Sequence, residues 1–395
     1  MLRVKNQEIK FKHTYCQQCG TCLSVCPNDA VTSSLTSDGT SIIHINKDFC
    51  NLCKLCVKYC PANKLFKKND LHEYAKQKKY YLGYTSNENI RRQASSGGVA
   101  RTIIIEGLKK NLFDGAYTLK KTSVYPYTEG YYFDRENIPH YDDIPNSIYH
   151  SVLTNQNLRK IKTVHKLLVI GTTCQLKDIE KLLKGKYEKI IKIAIFCKQQ
   201  KTFESTNFIA KMVGEDICID KPFYQSYRGG GWPGKATINK KQISFSIAAQ
   251  LPFGRRLWSV RGCDICGNPF GDNVDITLLD PWGIDEENNL GRNLIIVHSS
   301  QGKEILDNLE NYLCIEQKAL NEILPALMLK DIERKQMLIP FFLGKKVSTR
   351  IILAGKFEKL QRIILIYFAK KLPRLPIMVY RTLNKLPDLR NIILR

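Results

Sequence analysis

Along residues 30–46, "AVTSSLTSDGTSIIHIN", apolar positions alternate on either side of Asp38-Gly39, which predicts a short β-hairpin closed by a tight turn. A charged stretch, "KKNDLHEYAKQKKYY" (67–81), follows and reads as a linker. From residue 82 the pattern changes to alternating helices and strands. "SSGGVARTIIIEGLKK" offers Ser95 and Ser96 as N-caps of an apolar helix. "KLLVIGTTCQLKDIEKLLKG" reads as strand, glycine-containing turn and helix, and "KIIKIAIFCKQQKTFESTNFIAKMVG" repeats that order. "VDITLLD" (274–280) adds another strand. Strands alternating with helices imply a mainly parallel sheet covered on both faces. The glycine-rich "YRGGGWPG" (227–234) reads as a surface turn, with the lining of a substrate pocket as its other reading. After Pro340 the chain reads as basic, apolar helices broken at Pro373, Pro376 and Pro387.

Fourteen cysteines change this picture, because eight of them form a repeat. "CQQCGTCLSVCP" (16–27) returns as "CNLCKLCVKYCP" (50–61), an offset of 34 residues. Each copy is Cys-x2-Cys-x2-Cys-x3-Cys-Pro. Three closely spaced thiolates can wrap one corner of a cubane, whereas the fourth lies too far round the chain and serves the other cluster. One [4Fe–4S] cluster is therefore expected on Cys16, Cys19, Cys22 and Cys60, and a second on Cys50, Cys53, Cys56 and Cys26. Zinc sites tend to pair two separated Cys-x2-Cys elements, often with histidine, so zinc fits this spacing poorly. A disulfide framework belongs to small secreted chains, and the polar start "MLRVKNQEIKFKH" carries no apolar export signal. A cytoplasmic protein is expected.

Of the other six cysteines, Cys174 and Cys197 each follow a strand. If those strands are parallel, both thiols lie at one carboxyl edge, where open α/β sheets build their sites. "GCDICG" adds Cys263 and Cys266 from a loop just before another strand. Two readings stand side by side: a third [4Fe–4S] site of four converging thiolates, or two core cysteines with Cys263 and Cys266 holding zinc alongside other ligands. Cys218 and Cys314 read as structural. None of the seven histidines has a spacing that picks it out as a ligand or base, so no catalytic residue is named.

The formal net charge is +24. Residues 344–395 alone carry 13 Lys or Arg against Glu358 and Asp388. Such an excess calls for an acidic partner, an anionic small molecule or an anionic surface. The tail reads either as a peripheral membrane contact at the inner face or as a helical cap on the core. No nucleic-acid-binding motif accompanies the charge, so nucleic acid is not expected as a partner.

Five stretches in order, "ASSGGVA" (94–100), "IGTTCQL" (170–176), "IFC" (195–197), "RGCDICGNPF" (261–270) and "DITLLDPWGI" (275–284), resemble the coenzyme F420 hydrogenase/dehydrogenase beta subunit family. The resemblance covers roughly residues 80–330. It implies an iron–sulfur flavoprotein oxidoreductase with FAD, and a third [4Fe–4S] cluster on Cys174, Cys197, Cys263 and Cys266. The turn Ser95, Ser96, Gly97 and Gly98 is the expected flavin contact, since small residues admit close backbone approach and a helix start faces an anion. Thr173, Lys198-Gln199 and Leu279 depart from the family pattern, so the substrate stays open between the deazaflavin coenzyme and another metabolite, including one of surface-polysaccharide biosynthesis. A redox partner protein of ferredoxin, hydrogenase or reductase type is implied. The alternative is a ferredoxin-like electron-transfer subunit with no substrate site of its own. The expected parts are a two-cluster ferredoxin-like domain (1–66), a charged linker (67–81), an α/β flavin and iron–sulfur domain (82–340) and a basic amphipathic helical tail (341–395).

Overall fold

The computed structural model describes residues 15–64, 70–271, 273–284 and 289–371. His13, the start of the expected linker and the proline breaks after Lys371 lie outside those residues. The hairpin forms as the alternation requires. Strands β1 (Val31–Leu35) and β2 (Ser41–Ile45) pair antiparallel, with Val31 opposite Ile45. Asp38 holds its turn by accepting hydrogen bonds from the Thr36 hydroxyl at 2.6 Å and the Thr40 N–H at 3.0 Å.

The remaining strands are β3 (Lys79–Thr85), β4 (Gly115–Lys121), β5 (Thr128–Asp134), β6 (Val164–Thr172), β7 (Tyr187–Ile195), β8 (Gln225–Tyr227), β9 (Lys235–Ile238), β10 (Lys241–Ser244), β11 (Ile276–Leu279), β12 (Asn293–Val297) and β13 (Leu313–Lys318). Eight of them form one sheet in the order β13-β3-β12-β11-β7-β6-β4-β5. Only the four inner strands β11, β7, β6 and β4 are mutually parallel. The other pairs run antiparallel, so the sheet is mixed rather than mainly parallel. The reason is connection chemistry. Parallel neighbours need a crossover, and among the described residues neither β4–β5 nor β11–β12 has a helix between them to make one. The inner strands are buried on both faces, with Ala116, Leu168, Ile193 and Ile276 in the main core. Strands β8, β9 and β10 make a separate antiparallel sheet.

Three expectations need correction. From Asp70 onward the supposed linker is folded. Asp70 caps the helix Leu71–Lys76, whose Leu71 and Ala75 are buried, and β3 begins at Lys79 inside the sheet. Charge on one face of a short helix had masked its apolar pair. Neither Ser95 nor Ser96 caps the next helix, which runs Val99–Lys109 from Gly98 at φ +77°. The expected boundary at 340/341 falls within the helix Leu329–Phe342, because Pro340 sits near that helix's end. A further helix, Thr349–Lys371, follows. No described helix is long and apolar enough to cross a membrane.

The cysteine-rich unit packs directly on the sheet region. A Cβ at Gly262 would meet the Cys16 carbonyl oxygen at 2.3 Å, and one at Gly20 would meet the Leu153 oxygen at 2.8 Å. Both glycines permit backbone-to-backbone contact that no other residue allows.

Candidate functional site

The sequence repeat is also a repeat of backbone conformation. Gln18 and Leu52, each just before the second cysteine of its grid, have φ of 55° and 59°. Gly20 and Lys54, each just after it, have φ of 81° and 60°. Two left-handed residues around one cysteine fold the chain into a tight hook. Non-glycine residues accept this conformation at a cost of about 1 kcal/mol each. Gln18 offsets it by clamping β2, donating to the Ser41 carbonyl at 3.0 Å and accepting from the Ser41 N–H at 2.7 Å.

All fourteen cysteines are free thiols. Cys16 has Cys19 and Cys60 as electrostatic neighbours, and Cys22 has Cys19, Cys16, Cys60 and, last, Cys56. Cys56 in turn neighbours Cys26, Cys53 and Cys50. Two groups result: Cys16, Cys19, Cys22 and Cys60, and Cys26, Cys50, Cys53 and Cys56. The fourth cysteine of each run joins the group of the other run.

The carboxyl edge of the parallel strands carries a third group. In register, Thr172 at the end of β6 lies beside Ile195 at the end of β7. Cys174 follows in a short helix whose capping box uses Thr172 and Gln175, and Cys197 comes two residues after β7. Cys263 lies in a helical turn, Arg261–Ile265, followed at once by Cys266. Cys174 neighbours Cys19, Cys266 and Cys197, while Cys197 neighbours Cys263 and Cys266. The Gln200 N–H donates to the Cys263 sulfur at 3.2 Å. Cys218 and Cys314 are exposed and stand apart from all three groups, so neither is a core residue.

Burial pushes the thiols of Cys16 and Cys56 up to about 11 and that of Cys197 up to about 12. Burial also raises Cys19, Cys22, Cys174 and Cys263. Such thiols ionise together only around a strongly positive centre, so the donor sets suit iron and would release protons on binding it. Among the described residues no three His, Cys, Asp or Glu side chains converge on a single metal ion. A cubane asks for less convergence, because each thiolate binds a different iron.

Cations surround the third group. Lys335 is buried, faces Cys266, Cys263 and Cys197, and donates to the Lys198 carbonyl at 2.6 Å. A cavity of about 270 Å³ opens beside it, lined by Lys198, Gln199, Phe253, Arg256, Met328 and Asp331 among others. Lys198 pairs with Asp331 at 2.8 Å.

The turn at residues 95–98 is placed differently from the expectation. Ser95 accepts a hydrogen bond from the Ser147 N–H at 2.8 Å, and the Ser96 hydroxyl donates to the Arg292 carbonyl. The Val99 N–H at the helix start donates to the Asn293 side chain at 3.3 Å. A Cβ at Gly97 would strike the Gly83 carbonyl oxygen at 2.5 Å, so close packing on β3 accounts for this glycine. The "YRGGGWPG" loop is no simple surface turn, since Tyr227, Arg228 and Gly229 are buried. Arg228 donates to Asp280 at 2.8 Å and lies over the rings of Trp232, Phe245 and Trp282. Sequence reasoning missed Arg228 and Lys335. The arginine's only signal was its position beside three glycines, and the lysine had none.

Known proteins resemble the chain in several stretches. A 4Fe-4S dicluster domain matches residues 15–64. The N-terminal and C-terminal models of the coenzyme F420 hydrogenase/dehydrogenase beta subunit match residues 80–134 and 164–323. The chain belongs to that beta subunit family. Proteins of that family serve as iron–sulfur electron-transfer subunits of oxidoreductases. It is also similar to the "Protein NrfC homolog" of Haemophilus influenzae, 38% identical over 58 residues, or 14% of this chain and 24% of that protein. The chain therefore spans about a quarter of that relative's length. A chain of the F420-reducing [NiFe] hydrogenase complex from Methanosarcina barkeri superposes with a TM-score of 0.47 and 16% identity, covering 65% of this chain and 88% of that one.

Proposed function

We propose that the protein is an iron–sulfur flavoprotein oxidoreductase carrying electrons between a one-electron protein partner and a hydride-type substrate. In this reading Cys16, Cys19, Cys22 and Cys60 hold one [4Fe–4S] cluster, and Cys26, Cys50, Cys53 and Cys56 a second. Cys174, Cys197, Cys263 and Cys266 hold a third. The observation that carries the reading is an ordering. Cys56 neighbours Cys22, and Cys19 neighbours Cys174, so the three groups lie in sequence from the outer grid to the sheet edge. The clusters supply one-electron transfer and FAD the exchange between one and two electrons.

The chain's own residues suit the two ends of such a path. At the outer grid Cys53 is exposed beside Phe49 and Leu52, which are 62% and 40% exposed, with Lys47 and Lys54 around them. An apolar patch within cations suits an acidic electron-carrier protein. At the inner end the cavity beside Lys335 suits an anionic group, such as that of the deazaflavin coenzyme or of another anionic metabolite. Family membership supports FAD near residues 95–98.

A second reading, an electron-transfer subunit without its own substrate site, draws on the Ser95 and Ser96 hydroxyls being engaged inside the protein. Retention of flavin separates the two. After anaerobic loading with iron, sulfide and FAD, gel filtration should leave about one FAD per chain. A cluster-loaded protein that emerges free of flavin rejects the flavoprotein reading in favour of the relay.

A further inference from the structure

The helix Thr349–Lys371 presents two apolar faces, and the fold uses only one of them. Ala354, Leu365 and Ala369 are buried on the inner face. Leu365 and Ala369 join the cluster around Phe208 and Trp258, and Ala354 packs with Leu338 and Phe342. Arg362 fixes the same face by donating to Asp264 at 3.0 Å. The helix is therefore packed against the protein body along this face.

The outer face carries Leu353, Phe357, Leu360, Ile364, Tyr367 and Phe368, which are 38–59% exposed. At helical spacing these six project within an arc of about 100° and run along about 22 Å of helix. Lys356, Lys359 and Lys370 line one border of the stripe and are exposed, Lys370 pairing with Glu204 at 3.4 Å. The helix's one acidic residue, Glu358, is buried and paired with Arg362. The sequence that follows, 372–395, adds five Lys or Arg against a single Asp.

We propose that this outer face is a docking surface for an anionic lipid bilayer, with the helix lying in the plane of the interface. Charge complementarity singles out that occupant, because a stripe bordered by lysines, on a helix with no exposed carboxylate of its own, matches anionic headgroups above acyl chains. The lysines within the helix interrupt any run long enough to span. The inference goes beyond the redox reading and does not depend on it.

The test is co-sedimentation of the full-length, cluster-loaded protein with phosphatidylcholine vesicles, with and without phosphatidylglycerol. Binding to the anionic vesicles is expected, weakening with added salt and with removal of the anionic lipid. The triple variant Phe357→Ser/Leu360→Ser/Ile364→Ser should bind at least about tenfold more weakly. Lys356→Glu/Lys359→Glu should weaken binding as well. All five positions are exposed, so cluster content and circular dichroism should match the parent protein in both variants. Failure of the parent to bind anionic vesicles overturns the proposal, as does equal binding by the triple variant. Concentration-dependent self-association that the triple variant abolishes, without vesicle binding, also overturns it and assigns the stripe to a second copy of the chain.

Discussion

The Asn155 N–H donates to the Cys19 carbonyl at 2.8 Å, while its side-chain amide donates to Thr21 Oγ1 at 2.9 Å and to the Gln175 carbonyl at 2.8 Å. One buried asparagine thus joins the first thiol group to the residue beside Cys174. Fixed spacing between redox centres requires such a rigid tie. Asn155→Ala keeps the backbone bond and removes the side-chain donor to the buried Gln175 carbonyl and Thr21 hydroxyl, at a cost of about 2 kcal/mol. Denaturant unfolding of the loaded protein measures the loss, and electron transfer from the outer grid to the sheet edge should slow in parallel. An unchanged midpoint would mean that the tie is not needed.

Arg228 makes a second prediction. Its side chain is 1% exposed and pairs with Asp280 at 2.8 Å among aromatic rings. Removing the carboxylate by Asp280→Ala leaves a buried guanidinium without its counter-ion, worth about 3 kcal/mol. Asp280→Asn, which keeps an acceptor, should cost less. Equal stability of both variants and the parent would show that solvent replaces the carboxylate.

How much of this was legible in the sequence varies with the range of the interaction. The twin grid was legible because iron–sulfur ligation is local in sequence, and the two short spacings place each thiol. The hairpin was legible because Asp38-Gly39 fixes a turn between alternating residues. The mixed sheet was not, since β12 and β13 reverse direction through connections that carry no strand-direction signal. Asp70 looked like part of a charged linker because a six-residue helix shows only two apolar positions, Leu71 and Ala75. Lys335 and Arg228 were invisible for a different reason: a buried cation is recognised only by the distant groups that surround it.

A buried and a half-buried histidine set a pH dependence. Burial holds His150 at about 4, against an ordinary value of 6.5, with its ring nitrogen 2.7 Å from the Pro126 carbonyl oxygen. His298 is likewise lowered to about 4 by burial, beside Thr277 and Tyr74. Between these values the unfolded chain takes up protons that the folded chain refuses. The stabilisation is therefore full above pH 6.5 and is lost as pH falls towards 4. For His150 the loss reaches about 3 kcal/mol. His150→Gln should flatten the difference in unfolding midpoint between pH 7 and pH 5, and a slope equal to that of the parent would count against the assignment.

Lys335 faces three cysteines of the third group and should make its cluster easier to reduce. In an EPR-monitored redox titration, Lys335→Met is expected to lower the potential of that cluster alone, with Lys335→Arg restoring it. A shift shared by the two ferredoxin-type clusters, or no shift, would remove the lysine from the account.

The most direct test of the whole account is the iron, acid-labile sulfide and flavin content of anaerobically loaded full-length protein. Three cubanes and a flavin predict about twelve irons, about twelve sulfides and one FAD per chain. About eight irons with no flavin would contradict the third site on Cys174, Cys197, Cys263 and Cys266, leaving a ferredoxin-type relay.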